Sequence, residues 1–254
     1  MKVEILNCLS DNYTYVLIDE KSKITCVVDP GEAEPVQEYL ERNSLTLKFI
    51  LNTHHHQDHI GGNQDLKKKF NAKILSFEKD KKRILHQDIY LKDLQIWNYE
   101  NKFKFKVFHI PGHTSGHICF HFFEDNIVFT GDTLFSLGCG RIFEGTYEQM
   151  FNSINLIKSL PPKTKIYCGH EYTKNNFDFC KSIDKNNSYL KKKKIFIDQK
   201  LIKNIPTVPV TLEEELKTNI FLRCNDKNIK KELGLENASD IETFKKLRDL
   251  KDSF

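Results

Sequence analysis

The residues best suited to chemistry in this chain are four histidines and one aspartate within the seven positions 53–59, T-H-H-H-Q-D-H. Imidazole and carboxylate groups suit zinc, iron and manganese as protein ligands. The apolar run at 47–52 predicts a buried strand before them, and Gly61 and Gly62 after them lead into a helical pattern. Such groups on a turn between a strand and a helix indicate a metal site rather than a chance cluster or an expression tag.

The spacing within this segment predicts which side chains share an ion. Residues two apart in an extended turn point to the same side, so we expect His54 and His56 to converge on one ion. Asp58 and His59 should face a second ion beside it, and His55 should point away. One short segment therefore offers ligands to two ions.

Three further ligand candidates stand at the ends of strand patterns elsewhere in the chain. They are His113, Asp132 and His170, and each directly follows a glycine. Glycine at a strand end often marks a place where another backbone or a ligand approaches closely. A single histidine or aspartate is more often structural than a ligand, but the shared sequence context favours a functional role for all three.

The elements that must position these residues are strands in runs with helices between them. Strands are predicted at 3–8, 12–18, 24–29, 47–52, 72–77, 103–108, 118–123, 126–130 and 165–168. Helices are predicted at 32–42, 66–70 and 147–160, and 80–93 is predicted to be irregular. This order predicts an α/β fold of two sheets flanked by helices. Beyond residue 172 the pattern is helical without strands, broken at Pro206 and Pro209, which predicts a smaller all-helical region.

Composition narrows the classes of protein that fit. The chain has 254 residues, of which 39% are hydrophobic and 29% charged, and its net charge is +4. That charge is low for a dedicated nucleic-acid binder and suits an anionic small substrate. No apolar window approaches the ~18 residues of a membrane span, and a strand pattern follows Met1 without a signal segment. We therefore expect a cytoplasmic protein.

The seven cysteines are scattered, and none forms a C-x-x-C pair. Scattered cysteines in odd number are typical of free thiols in a reducing compartment. Most stand within apolar strand patterns, so we expect buried side chains rather than a catalytic thiol.

The motif H-x-H-x-D-H at 54–59, followed by His113, Asp132 and His170, resembles the metallo-β-lactamase superfamily. Within it, essentially the whole chain resembles glyoxalase II, the hydroxyacylglutathione hydrolases. The stretches that carry this closer resemblance are 53–59, H-T-S-G-H at 113–117, G-C-G-R at 138–141, C-G-H-E-Y-T at 168–173, and Arg248 with Lys251 and Asp252. The resemblance implies an αββα sandwich of two mixed sheets flanked by helices, with a catalytic domain at 1–172 and a small helical substrate-binding domain at 173–254.

The resemblance also implies a set of seven metal ligands. The first ion would be bound by His54, His56 and His113, the second by Asp58, His59 and His170, and Asp132 would bridge them. The implied cofactors are two divalent ions, zinc before iron or manganese. Asp58 and Asp132 are the implied catalytic residues, together with a metal-bridging hydroxide.

The activity implied by the resemblance is hydrolysis of S-lactoylglutathione, an S-(2-hydroxyacyl)glutathione, to glutathione and D-lactate. This is the second step of methylglyoxal detoxification. The bridging hydroxide would attack the thioester carbonyl, and the thiolate would leave with little protonation because thiols have a pKa near 8.5. The implied partner is this thioester, with no nucleic acid, no membrane and no second subunit.

Residues that would hold the glutathione moiety follow from the same resemblance. They are Arg141, Phe143, Tyr172, Arg248 and Lys251. The family typically has a lysine and a tyrosine where this chain has Arg141 and Phe143, so the charge is kept and a phenolic hydroxyl is lost. On a helical pattern Arg248 and Lys251 share a face, and they would present two cations to the carboxylates of glutathione.

Three other interpretations remain open from the sequence. The first is a mononuclear iron persulfide dioxygenase on the same scaffold, and the second is a nucleic-acid-binding or nuclease relative that uses the lysine run at 191–194. The third is a metal-binding scaffold without catalysis. Asp29 is either a turn residue or a partner that orients a ligand imidazole, and His117 is expected to be a buried histidine.

Overall fold

The structure, a computed structural model, describes residues 1–254. By its internal packing the chain divides into two units, of which the first comprises 1–109 and 116–131. The second comprises 110–115 and 132–254. None of the helices combines the length and the apolar character that crossing a bilayer requires.

The first unit contains a six-stranded sheet whose strands follow one another in chain order. The strands are β1 (Lys2–Cys8), β2 (Asn12–Ile18), β3 (Ile24–Val28), β4 (Thr46–Leu51), β5 (Lys73–Phe77) and β6 (Ile89–Leu91). β1, β2 and β3 pair antiparallel, whereas β3 to β6 pair parallel. Parallel neighbours require crossover connections, and three helices supply the first two of these, between β3 and β4 and between β4 and β5.

These helices are α1 (Glu34–Arg42), α2 (Gln57–Ile60) and α3 (Asn63–Phe70). α1 begins with Glu34 in its first turn and ends with Arg42 in its last, which suits the helix dipole at both ends. Val36 and Leu40, four residues apart, are fully buried against a core that includes Ile50 of β4. This packing places the start of the loop after β4 at the carboxyl edge of the parallel strands.

Four more strands of the first unit form an antiparallel series. They are β7 (Ile96–Tyr99), β8 (Phe103–His109), β9 (Ile118–Phe122) and β10 (Ile127–Gly131). The predicted alternation of β8 is confirmed, since Phe103, Phe105 and Val107 are fully buried and the lysines between them are not. The predicted hairpin between β9 and β10 is also confirmed.

The second unit consists mainly of helices. Its strands are β11 (Leu134–Phe135) paired with β12 (Gly138–Cys139), and β13 (Lys165–Cys168) paired with β14 (Val210–Thr211). Its helices are α4 (Tyr147–Lys158), α5 (Thr173–Ile183), α6 (Ser188–Ile202), α7 (Leu212–Thr218), α8 (Lys227–Glu232) and α9 (Asp240–Asp252). Capping boxes at Thr146, Thr211 and Ser239 start α4, α7 and α9.

Five strands were not predicted, namely β6, β7, β11, β12 and β14. β6 lies within 80–93, which was predicted to be irregular, and β14 lies in the region predicted to be without strands. All five have only two to four residues, too few to show a period of two, and pairing with neighbouring strands defines them. β4, which precedes the segment 53–59, and β13, which precedes His170, end within one residue of their predicted positions.

Candidate metal centre

The segment 53–59 follows β4 directly and is tied to the end of the neighbouring strand β3 by Asp29. Thr53 donates its backbone N–H to Asp29 Oδ1 at 2.8 Å and its hydroxyl to Asp29 Oδ2 at 2.6 Å. Asp29 has φ of 49°, so it turns the chain and also uses its carboxylate. Asp29 is therefore a turn residue and also a hydrogen-bonding partner of the segment.

Hydrogen bonds on the Nδ1 side determine which ring nitrogen of two imidazoles in this segment carries the proton in the neutral form. Because the single hydroxyl proton of Thr53 goes to Asp29, its Oγ1 accepts from His54 Nδ1–H at 3.1 Å. His59 Nδ1 lies 3.1 Å from Asp29 Oδ2, and a carboxylate can only accept. Both rings therefore present a lone pair at Nε2, which is the form that binds a metal.

Asp58 is held by a residue that the sequence did not single out. Buried Asn12, at the start of β2, donates to Asp58 Oδ2 at 2.9 Å and to the Asp58 carbonyl at 3.1 Å. His59 Nε2 lies 3.5 Å from the same Oδ2. The amide of Asn12 therefore orients this carboxylate beside the imidazole of His59.

The other two histidines of the segment differ in direction. The ring of His56 meets the ring of His54 edge-on with centroids 4.7 Å apart. His55 Nδ1 lies 3.9 Å from Asp80 Oδ2, a carboxylate that also binds Arg83. This contact with Asp80 agrees with the expectation that His55 takes no part in the cluster.

Ligand atoms of Asp29, His54 and His59 lie within 4.8 Å of one another. Both oxygens of Asp29 already accept hydrogen bonds from Thr53 and His59. Asp29 therefore orients the imidazole of a candidate ligand, His59. His117, as expected, is buried, and it stacks on His54 with ring centroids 4.7 Å apart.

In the second unit, Asp132 brings two histidines together. Its Oδ2 lies 3.5 Å from His113 Nε2 and 3.3 Å from His170 Nε2. His113 Nδ1 lies 2.9 Å from the backbone carbonyl of Arg141, which can only accept, so the proton is on Nδ1. In its neutral form His113 therefore turns an Nε2 lone pair toward a carboxylate oxygen.

These donor groups fit a divalent cation. Zinc binds nitrogen and oxygen ligands at about 2.0–2.2 Å, so two ligands of one tetrahedral ion are about 3.4 Å apart. The spacings of His59 from Asp58, and of His113 and His170 from Asp132, are 3.3–3.5 Å. Lone pairs facing carboxylate oxygens at this distance are stabilised by a cation between them.

Aromatic rings surround the histidines of the second unit. Tyr172 stacks on His170 with ring centroids 4.7 Å apart and planes 6° apart, and it is 39% exposed. Phe143 meets His113 edge-on at 5.2 Å and is 62% exposed. Both rings are therefore placed beside ligand candidates with a surface open to solvent.

The three candidate cations differ in exposure. The side chain of Arg141 is exposed, with Nε 3.4 Å from Asp252 Oδ1. Lys251 is half-buried, and burial, reinforced by Arg248, lowers its pKa to about 8. Arg248 is only 3% exposed. Arg248 and Lys251, which were predicted to present their cations together, therefore differ in exposure, because Arg248 packs against the backbone of Cys139 and Gly140.

All seven cysteines are free and buried, as expected. Burial raises the pKa of Cys119, Cys168, Cys180 and Cys224 to about 12. The thiol form of a cysteine is a weak nucleophile. These four side chains are therefore inert parts of the core.

Two family models match the chain. The one described as "Hydroxyacylglutathione hydrolase C-terminus" matches residues 171–254, and the one described as "Metallo-beta-lactamase superfamily" matches 10–95 and 98–170. The hydroxyacylglutathione hydrolase of Pelagibacter ubique (strain HTCC1062) is 56% identical over 254 residues, which cover 100% of both chains.

Solved structures share the fold. The BLEG-1 B3 metallo-β-lactamase superposes with a TM-score of 0.67 at 24% identity, over 87% of this chain and 99% of that one. TTHA1623, crystallised in a di-iron-bound form, superposes with a TM-score of 0.55 at 26% identity, over 67% of this chain and 92% of that one.

Proposed function

The chain belongs to the hydroxyacylglutathione hydrolases of the metallo-β-lactamase superfamily, and on this premise we propose that it hydrolyses S-lactoylglutathione to glutathione and D-lactate. The full-length identity of 56% to a hydroxyacylglutathione hydrolase carries this conclusion. The predicted fold class, an αββα arrangement with a helical C-terminal region, is confirmed. The persulfide dioxygenase and nuclease interpretations are not favoured.

The metal ligands are proposed as they were predicted. His54, His56 and His113 would hold one divalent ion, Asp58, His59 and His170 would hold the second, and Asp132 would serve both. The Nδ1 protons of His54, His59 and His113 support this assignment, since each leaves Nε2 for a metal. The di-iron form of TTHA1623 supports the number of ions. The proposed metal is zinc, with iron or manganese as the alternatives that the same ligands accept.

Two bound divalent ions would lower the pKa of a shared water toward neutrality and so supply hydroxide for attack on the thioester carbonyl. The residues of the chain fix where this happens. Asn12 holds Asp58, Asp29 holds His59, and the Arg141 carbonyl holds His113. Such partners fix the orientation and raise the basicity of ligands. Asp58 and Asp132 are the proposed catalytic carboxylates.

Substrate contacts are proposed for the open residues around His113 and His170. Arg141 and Lys251 offer cations to the carboxylates of glutathione, and Tyr172 offers a hydroxyl. Phe143 offers an apolar surface in place of the family's tyrosine. The exposure of Arg141, Phe143 and Tyr172 supports these roles. Arg248 is proposed as a substrate contact as well, as the family resemblance implies.

The remaining predictions stand as proposals. The domain boundary between 172 and 173 is supported by the two family models, which meet at 170 and 171. A cytoplasmic location is supported by the seven free thiols. A monomer that binds neither nucleic acid nor membrane is proposed on the sequence alone.

One experiment tests the function directly. Hydrolysis of S-lactoylglutathione is followed with the purified protein, and the metal content of the same sample is measured. We expect thioesterase activity with two divalent ions per chain. D132A should lose the activity and bind less metal, whereas H55A should keep the activity and the metal. One iron per chain with oxygen consumption, and no thioester hydrolysis, would contradict the proposal.

A further inference from the structure

Glu171 lies in the chain between a candidate metal ligand, His170, and a proposed substrate contact, Tyr172. Its carboxylate accepts three hydrogen bonds from the protein. Oε2 accepts from the backbone N–H of Thr207 at 2.9 Å, and Oε1 accepts from the Thr207 hydroxyl at 2.8 Å and from the N–H of Thr173 at 3.3 Å. Hydrogen bonds to an ionised acceptor are roughly twice as strong as neutral ones. Both oxygens of Glu171 are therefore used to attach it to neighbouring backbone.

Two threonine hydroxyls extend this network in a single direction. Thr207 gives its one hydroxyl proton to Glu171, so its Oγ1 accepts from the hydroxyl of Thr173 at 2.5 Å. Both threonines are buried. Removal of one partner would leave a buried donor without its acceptor, which costs more than the net value of the hydrogen bond. The start of helix α5 is therefore fixed to residue 207.

The loop 169–172 is held on its other side as well. β13, which ends at Cys168, pairs antiparallel with β14, which begins three residues after Thr207. The thiol of Cys168 donates to the carbonyl of His170 at 3.5 Å. Burial raises the pKa of this thiol to about 12, so it keeps the proton that it donates. The loop therefore has attachments before and after His170, and the segment around Thr207 and β14 supplies most of them.

This loop presents two rings that lie against each other. His170 Nε2 lies 3.3 Å from Asp132 Oδ2, and the ring of Tyr172 stacks on the imidazole with centroids 4.7 Å apart. Phe135 meets the ring of Tyr172 at 5.2 Å. Because Glu171 connects the two stacked residues, a displacement of its backbone would move both rings.

We propose that Glu171 is a positioning residue for the metal centre. Its carboxylate joins the loop 169–172 to Thr207, and this attachment keeps the imidazole of His170 directed at Asp132. The segment before β14, in the helical region, thereby determines the orientation of a proposed metal ligand. The inference rests on the proposed function in taking His170 as a ligand.

A purely structural role for Glu171 predicts a different result. If its carboxylate only stabilised the fold, its replacement would lower Tm and leave the metal affinity of the folded protein unchanged. If it orients His170, its replacement weakens the binding of the one ion that His170 would hold, and the other ion is bound as before. Removal of a partner that orients a metal ligand typically costs about 10–100-fold in metal affinity or activity.

The test measures Zn²⁺ binding to E171A, T207V and T207S by competition with a chromophoric chelator. Valine removes the hydroxyl that Glu171 accepts from, whereas serine keeps it. E171A and T207V should therefore bind one of the two Zn²⁺ equivalents about 10–100-fold more weakly, and T207S should bind both as the wild type does. The KM of E171A for S-lactoylglutathione should also rise, because Tyr172 moves with His170.

D178N is the matched control, because Asp178 is an exposed carboxylate of helix α5 that pairs with Lys174. It should leave both the Zn²⁺ affinities and KM unchanged. The double variant E171A/T207V should bind Zn²⁺ no more weakly than E171A, since both changes break the same network. Circular dichroism confirms that each variant is folded under the conditions of the titration.

Wild-type affinity for both Zn²⁺ equivalents in folded E171A and T207V overturns the inference. Equal losses in T207S and T207V, or additive losses in the double variant, overturn it as well. If E171A does not fold, the two Thr207 variants decide alone. A wild-type protein that binds two Zn²⁺ ions but hydrolyses no thioester would refute the proposed function, and the Zn²⁺ affinities would still decide the role of Glu171.

Discussion

At the scale of single residues, the candidate centre is defined by the groups that form hydrogen bonds to the candidate ligands. A carboxylate, a hydroxyl and a backbone carbonyl each accept the Nδ1 proton of one imidazole, at His59, His54 and His113 respectively. Different groups thus perform the same function, which is to fix the tautomer and the ring plane. The ligand motif is visible in the sequence, but these partners lie far from their imidazoles along the chain, except for Thr53.

Lys251 supports a prediction about pH. Burial, and to a smaller extent Arg248, lowers the pKa of Lys251 to about 8. Below that pH the ammonium can bind a glutathione carboxylate, and above it the neutral amine cannot. We therefore expect kcat/KM for S-lactoylglutathione to fall as the pH rises through about 8, because kcat/KM reports the free enzyme.

Two variants check this assignment. K251R, which stays charged, should move the fall out of the accessible range, and K251M should have a low kcat/KM without this transition. A thioester without carboxylates should not show the transition in the wild type. The same transition in K251M as in the wild type would assign it to another group.

At the scale of elements, helices of the second unit hold the hairpin β11–β12. Glu215 of α7 is completely buried and accepts from the N–H of Leu137 at 2.7 Å and from Asn219 Nδ2 at 3.0 Å. Asn176 of α5 donates to the carbonyl of Ser136 at 3.1 Å. Leu137 has φ of 61°, a conformation that costs energy for a leucine. The side chains of α5 and α7 therefore maintain a strained turn between Asp132 and Arg141.

Replacing Glu215 tests this element. E215Q keeps one acceptor oxygen and removes the negative charge, so the hydrogen bonds from Leu137 and Asn219 become weaker, and we expect roughly 1–3 kcal/mol lower stability toward chemical unfolding. E213Q is the matched control, since Glu213 is an exposed residue of the same helix, and it should leave the unfolding curve unchanged.

The pH dependence of the same variant gives a second readout. Burial raises the pKa of Glu215 above its ordinary value. As the pH rises from about 4.5, the carboxyl ionises in the unfolded chain before it ionises in the folded one, so its contribution to stability falls with rising pH. This slope should be absent in E215Q. An identical slope in both proteins would mean that Glu215 ionises equally in the two states.

At the scale of the whole molecule, the proposed ligands run from residue 54 to residue 170, so only the folded chain can assemble them. A ligand that binds only the native state stabilises it by mass action, by about 2.7 kcal/mol at a concentration of 100 Kd. We therefore expect removal of metal with a chelator to lower Tm by roughly 5–10 °C for a chain of this size.

Calorimetry with and without added Zn²⁺ measures this shift. Zn²⁺ should restore the Tm of the wild type and of H55A, and it should have a much smaller effect on D132A. A Tm that does not depend on chelator or on Zn²⁺ would contradict a metal centre of the proposed kind.

The sequence by itself determined the features that depend on local pattern. These features are the alternation of β8, the position of β4 and the candidate ligands at 54–59. Each follows from the period and spacing of residues that lie close together in the chain. The family followed from the same motifs, because metal chemistry allows few substitutions in them.

The tertiary structure decided everything that depends on residues far apart. β6 and β14 exist only through their neighbours, and Asn12 reaches Asp58 across 46 positions. Arg248 is the clearest case, since its helical face was predicted but the surface against which that face packs was not. Helical periodicity states which side chains point together, whereas burial and partners depend on what the fold brings opposite them.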